Sequence, residues 1–389
     1  MKKKYIVIPL LIVLILLALA IHPRSESAQR IPAPTSFVKF SNLNPLAPSQ
    51  AAYPQGNLKI EKFQDVRFMD LRESTDVLDA IMMESLTFDQ ATVWPVQNEA
   101  LAEQTLNLGM NPGMGVREVH QQGITGEGVN VAIIDQPLGL EHPEYLGKIT
   151  KYYDVGTHTP LNQSSMHGPA VTSLLVGNNI GTGPGANVYF VAAPSWKADA
   201  QYYADALLWI IDENRKLSEN EKIRVVSVSA APSGEGSPFT KNNDAWDDSV
   251  KLAIEEGLLV LDCSNERRVF NPCYYDLHDP DNMETCEPGW PVDVDYRINR
   301  KLILIPTSRR TVAETYYEGN YYYQYTGVGG ASWAPPYLAG VLALGWQINP
   351  LLSGDELMDM LFDTAYVRKD KLKVINPDAF VEVVKLTLN

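Results

Sequence analysis

Cysteine is scarce: Cys263, Cys273 and Cys286 are the only three in 389 residues. Three thiols make no disulfide scaffold, and no histidine stands near them at the spacing of a zinc site. In an exported chain Cys273 and Cys286 are able to pair, while Cys263, at the end of an apolar run, reads as a small buried hydrophobe. Positive charge is also in deficit. Lysine and arginine number 32 against 47 aspartates and glutamates, a formal net charge of −15. Phosphate backbones are bound by basic surfaces, so a nucleic-acid partner is excluded. No internal repeat and no low-complexity tract follows residue 57.

One long uncharged run is present, from Tyr5 to Ile21, preceded by Lys2, Lys3 and Lys4. A positive start followed by an apolar stretch is an export signal. Ala18-Leu19-Ala20 suits a signal peptidase, yet the run also approaches the length that spans a bilayer. A cleaved signal and a membrane tether through residues 5–21 both stay open, and either places the working part outside the cytoplasm. Residues 1–30 are therefore a signal peptide or anchor. Residues 31–57 contain IPAPTSF and NPLAPSQAAYPQG and read as an extended linker. Residues 58–96 form a small strand-helix unit, either a removed pro-segment or a permanent accessory layer. KIEKFQDVRFMDL is its expected strand. STDVLDAIMMESL is its expected helix, with Ser74, Thr75 and Asp76 as caps and Leu78, Ile81, Met82 and Leu86 on one face.

Residues 97–389 alternate strand and helix patterns. VNVAIID (129–135) is a nearly continuous apolar run, as in strands buried on both faces of a parallel sheet. MHGPAVTSLLVG, ADALLWIIDENRKL and DDSVKLAIEEG have helical spacing. ANVYFVAA, IRVVSVSA, LLVLDC and KLILIP read as strands. The alternation predicts an α/β fold, doubly wound, with a mainly parallel sheet and helices on both faces, whose sites lie at the carboxyl ends of strands.

Three residues stand at such edges. Asp135 ends an apolar strand, where a carboxylate is costly unless donors surround it; taken alone it is an ordinary strand-end aspartate. His167 starts an apolar helix with Pro169 in its first turn. The helix dipole there favours a neutral, basic imidazole, although a solvated histidine is the plain alternative. Ser332 follows Gly329-Gly330-Ala331 and precedes Pro335-Pro336. In isolation it reads as a helix N-cap. Taken together they supply a hydroxyl, a base to deprotonate it and a carboxylate to orient that base.

The segments GVNVAIID, HGPAVTSLLVG and GGASWAPPYLAGVLAL resemble the three signature blocks of the subtilisin-like serine peptidases. GTGPGANVYFVAA (181–193) resembles a fourth, and the order Asp, His, Ser is that family's order. The resemblance covers roughly residues 110–365. It implies a subtilisin-like fold and a serine endopeptidase acting on peptides or proteins, with Asp135 orienting the imidazole, His167 as general base and acid, and Ser332 as nucleophile. It further implies Asn265 as oxyanion donor, and Ser229, Ala230 and Ala231 as the strand edge that pairs with substrate backbone. No cofactor is required. Asp276, Asp279, Asp281 and Glu284 in an acidic loop offer oxygen ligands for a structural calcium ion, with a solvated loop as the favoured alternative.

The chain departs from the family pattern at several places. Gln136-Pro137 replaces Ser/Thr-Gly after the aspartate, Pro169-Ala170 replaces a second histidine, Ser264 replaces glycine, and Ala331 and Trp333 replace threonine and methionine around the serine. A catalytically weak or inactive domain used for binding or assembly is therefore the rival reading. A lipase-like esterase is excluded by the order of residues and the missing Gly-x-Ser-x-Gly elbow. Six tyrosines in TYYEGNYYYQYTG (315–327) suit a cleft wall or a core strand equally.

Overall fold

The computed structural model describes residues 59–289, 302–316 and 318–388; the export signal or anchor and the linker lie outside the described residues. Where a strand is expected at KIEKFQDVRFMDL, the chain makes turns instead. Phe63 and Phe68 take φ of 66° and 59°, which extended backbone does not accommodate. Helix α1 (Ala80–Ser85) begins after Asp79, whose carboxylate accepts from Met82 N at 2.8 Å, so Asp79 is the cap rather than Ser74, Thr75 or Asp76. Strand β1 (Thr87–Asp89) follows, which makes the unit helix-then-strand.

Helices α2 (Val96–Leu108) and α3 (Val116–Gln121) lead to β2 (Asn130–Asp135). The expected alternation then runs β3 (Ile149–Asp154), α4 (His167–Val176), β4 (Asn187–Ala192), α5 (Gln201–Arg215), β5 (Ile223–Val228), α6 (Asn243–Glu255) and β6 (Leu259–Leu261). The five strands β2 to β6 form a parallel sheet in the order β3-β4-β2-β5-β6. Successive strand residues face opposite sides. Val131 and Ile133 accordingly enter the core holding Val171, Leu174 and Leu338, whereas Ala132 and Ile134 meet Leu207, Ile210 and Trp246. Both faces are buried, which is why the run is apolar throughout. From β2 the chain builds β3 and β4 on one side and β5 and β6 on the other. That makes β2 the switch point of the sheet, with a crevice beyond its carboxyl end. Asp135 is that end.

KLILIP leaves the pattern. With β7 (Phe270–Tyr274) and β8 (Glu287–Pro288), its strand β9 (Ile303–Pro306) belongs to a separate mixed sheet. Strands β10 (Arg310–Glu314) and β11 (Tyr322–Thr326) form a third, antiparallel sheet in the order β1-β11-β10. Helices α7 (Ala334–Ile348), α8 (Gly354–Asp363) and α9 (Pro377–Leu386) follow, and the pair β12 (Tyr366–Val367) and β13 (Lys373–Val374) completes the mixed sheet.

Through β1 the segment 59–95 joins the body. Val66, Met83, Leu86, Phe88 and Trp94 are buried in the same apolar core as α4 and α7. The Phe88 ring lies 5.2 Å from that of Tyr325, and Gly327 N donates to the Leu86 carbonyl at 2.8 Å. Among the described residues, no helix is long and apolar enough to cross a membrane. Cys273 and Cys286 are buried free thiols.

Candidate active site

Asp135 Oδ1 accepts from Gln136 N at 2.8 Å and contacts His167 Nδ1 at 2.7 Å. Gly168 is what lets α4 come this close. A Cβ there would lie 2.5 Å from the Gln136 carbonyl oxygen and 2.6 Å from that of Pro137, so only glycine allows the helix start to press on the chain leaving β2. Ser165, which the motif reading passed over, fixes the same turn. Its Oγ accepts from the N–H groups of His167 and Gly168, both at 3.1 Å, and donates to the Pro137 carbonyl at 3.2 Å.

The His167 side chain is 20% exposed and that of Asp135 4%. Burial pulls a histidine pKa down, but the charge of Asp135 and the hydrogen bond to it prevail, so His167 titrates above the ordinary histidine value. This corrects the expectation of a ring kept neutral by its helix. A carboxylate in contact outweighs the partial charge spread over a helix terminus.

Ser332 sits in a 3₁₀ turn, Ala331–Trp333, and α7 after it has no side-chain cap, so the N-cap reading fails. Ser332 Oγ donates to the Ser229 carbonyl at 3.2 Å, and Ser229 Oγ donates to the Ser332 carbonyl at 2.6 Å. The loop is drawn in by Gly329, at φ 66°, where a Cβ would fall 2.0 Å from the Thr307 carbonyl oxygen. Trp333 carries the contact between the two segments, its ring centroid lying 5.4 Å from that of His167 at 32°. Among the described residues, no hydrogen bond joins His167 to Ser332.

The other expected residues gather less closely. Of the edge beyond β5, Ser229 is the residue hydrogen-bonded to Ser332 among the described residues. The Ala230 carbonyl accepts from Cys263 N at 2.9 Å, and that of Ala231 from Ser237 Oγ at 2.7 Å. Asn265 lies past β6, exposed, its Nδ2 donating to the Glu235 carbonyl at 2.9 Å. The turn that carries it is held by Asp262, which accepts from Trp246 Nε1 at 3.0 Å and pairs with Arg267 at 2.7 Å. Cys263 is half-buried rather than buried, and lies in this same turn.

The acidic loop does not gather around a cation. Asp276 accepts from His278 N, Asp279 from Asn282 Nδ2, Asp281 from Gly115 N and Glu284 from the Tyr366 hydroxyl. Among the described residues no group of three or more ligating side chains assembles, so the residues present do not fit a calcium site. Several tyrosines of the 315–327 run prove to be donors to carboxylates: Tyr316 to Glu314, Tyr321 to Glu141 and Tyr323 to Glu144.

No protein-family model matches the chain. It is 22% identical over 351 residues to the subtilisin of Bacillus sp. (strain TA39), covering 80% of this chain and 74% of that protein. Subtilisin E of Bacillus subtilis (strain 168) matches at 22% over 271 residues, 64% of this chain and 63% of its own, so the chain spans under two thirds of that relative. In structure, fervidolysin from Fervidobacterium pennivorans, a keratinolytic enzyme related to subtilisin, aligns with a TM-score of 0.51 at 16% identity over 73% of this chain and 46% of its own. The prenylagaramide maturation protease PagA aligns with the same TM-score and identity over 69% and 98%. The fold is therefore subtilisin-like. The sequence matches beside it are to subtilisins, at 22% identity.

Proposed function

We propose that the chain is an exported serine endopeptidase that hydrolyses peptide bonds through an acyl-enzyme. The observation that carries this reading is the 2.7 Å contact of Asp135 with His167, at the switch point of the sheet, with the Ser332 turn packed on the same imidazole through Trp333. Asp135 holds Nδ1, leaving Nε2 as the base. In the proposed reaction Ser332 Oγ leaves the Ser229 carbonyl and attacks the scissile carbonyl carbon as Nε2 takes its proton. The imidazolium then protonates the leaving amine, and water repeats the sequence to release the acid. Apo active sites commonly hold such groups apart until substrate arrives, so the open His167–Ser332 gap is compatible with turnover. Substrate backbone would lie along Ser229, Ala230 and Ala231. Asn265, swung from the Glu235 carbonyl, would give the oxyanion a donor. Export rests on residues 1–30, and residues 59–95 would stay in the mature protein because their apolar side chains are buried in its core.

An active-site fluorophosphonate tests the reading. We expect one label per chain, on Ser332, absent from Ser332→Ala. Intact-mass measurement of the labelled protein should show a mature N-terminus upstream of residue 59. A folded protein that takes no label favours the rival reading, a binding or assembly domain.

A further inference from the structure

Trp333 stands immediately after Ser332, where the family pattern has methionine. The residue is 6% exposed, and its Nε1 is buried without a hydrogen-bond partner. Buried indoles usually find an acceptor for that N–H, because leaving it unmade is costly. A methionine or leucine would fill the space without the cost, so packing alone does not account for the ring. Among the described residues, the aromatic ring it meets is that of His167, 5.4 Å away and tilted by 32°.

We propose that Trp333 is a positioning residue for His167, its indole fixing the imidazole in the plane set by Asp135 and stabilising the ring when it is charged. The inference rests on reading Asp135, His167 and Ser332 as a working triad. In that reaction His167 becomes cationic at each proton transfer, and a cation within about 6 Å of an indole centroid is attracted by the ring's electron-rich face. Asp135 from β2 contacts the imidazole, α4 itself carries no charged side chain beyond His167, and the turn bearing Ser332 adds none. Tyr203 of α5 and Cys263 beyond β6 lie near Asp135. Burial raises the pKa of both, so they stay neutral there.

Two roles of the indole give opposite signs. If it stabilises the charged ring, removing it lowers the His167 midpoint. If it only excludes water, removing it rehydrates the ring and raises the midpoint. NMR of the imidazole nitrogens follows His167 in the whole protein without any need for turnover. For Trp333→Met we expect the midpoint to fall by about half a pH unit, with kcat reduced more than KM is changed. Trp333→Phe, which keeps an aromatic face, should stay close to the parent. An unchanged or raised midpoint in Trp333→Met overturns the proposal. Should that variant not fold, difluorotryptophan at all seven tryptophans weakens the ring face at nearly constant shape. It should give the same downward shift, and no shift overturns the proposal. A protein without peptidase activity whose His167 midpoint still follows Trp333 would sink the triad reading and leave the ring contact standing.

Discussion

Asp135 with His167, and Asp89 with Glu314, are two buried pairs held in opposite ways. The first joins a carboxylate to an imidazole, at the end of the central strand. The second sets two carboxylates on either side of β11: Asp89 opposite Gln324, and Glu314 opposite Tyr322 on the same face. Asp89 Oδ1 accepts from Phe68 N, Ala91 N, Thr92 N and Thr92 Oγ1, while its Oδ2 has no partner. Glu314 Oε1 accepts from Tyr316 at 2.8 Å and Oε2 has none. Arg67 reaches Glu314 at 3.7 Å, a long contact for one cation facing both groups. Desolvation first, then the facing charge of Asp89, drives the Glu314 pKa upward; desolvation, partly offset by its hydrogen bonds and by Arg67, brings Asp89 to about 6. A buried carboxylate is tolerable beside His167 because that ring's charged form is favoured in return. Between β1 and β10 it is tolerable because a proton stays bound.

The sharpest way to break this contrast is to neutralise one member of each pair. Asp135→Asn should keep the fold and lower kcat roughly 10³–10⁴-fold, since the amide no longer selects the working tautomer. Glu314→Gln should leave kcat within about twofold, since it touches no reacting group. Peptide hydrolysis by the two purified variants decides the matter. Equal losses would mean that both pairs serve the reaction.

Stability should depend on pH through the second pair. A carboxyl group whose folded pKa is raised binds its proton more tightly folded than unfolded. Its contribution is therefore full below the ordinary carboxyl value and is lost as pH rises toward about 6 for Asp89, with Glu314 extending the loss upward. We expect the urea midpoint to fall across that window by roughly 1–3 kcal/mol of stability. In Glu314→Gln the slope should flatten, because one like charge is gone and Tyr316 can still donate to the amide oxygen. Parallel curves for parent and variant would mean that the two carboxylates do not oppose one another.

How these two regions could be read from sequence differs for a physical reason. Strands β2, β4, β5 and β6 were legible because a doubly covered sheet demands continuous apolar runs. Asp135, His167 and Ser332 stand out as candidates because each lies at the edge of such an element within a recognisable block. The Asp89–Glu314 pair was not legible, since it depends on β1 pairing with β11 more than two hundred residues later, and nothing local to LTFDQATV or TVAETYY records that register. The strand expected at 59–71 failed because Phe63 and Phe68 take left-handed backbone, and the Phe68 N–H donates to Asp89, outside the segment, at 3.2 Å. The bonding of Asn265 to Glu235 was equally hidden, because two loops must fold before the amide finds its acceptor.

The smallest expected effect separates the pairs most finely. His167 titrates above the ordinary histidine value near 6.5, because Asp135 favours the charged ring more than burial opposes it. A general base must be neutral to act, so kcat/KM should rise with pH through an inflection displaced above that value. The same raised pKa adds stability that is full below the unfolded histidine value and is lost as pH climbs through the folded one, a window above that of Asp89. A pH profile on a peptide substrate, measured for the parent and for Glu314→Gln, reads both. The inflection should coincide in the two proteins, because the imidazole senses Asp135 and not the carboxylates beside β11. If it moves with Glu314→Gln, the acid limb reports loosening of the 59–95 layer rather than protonation of His167, and the two pairs are coupled.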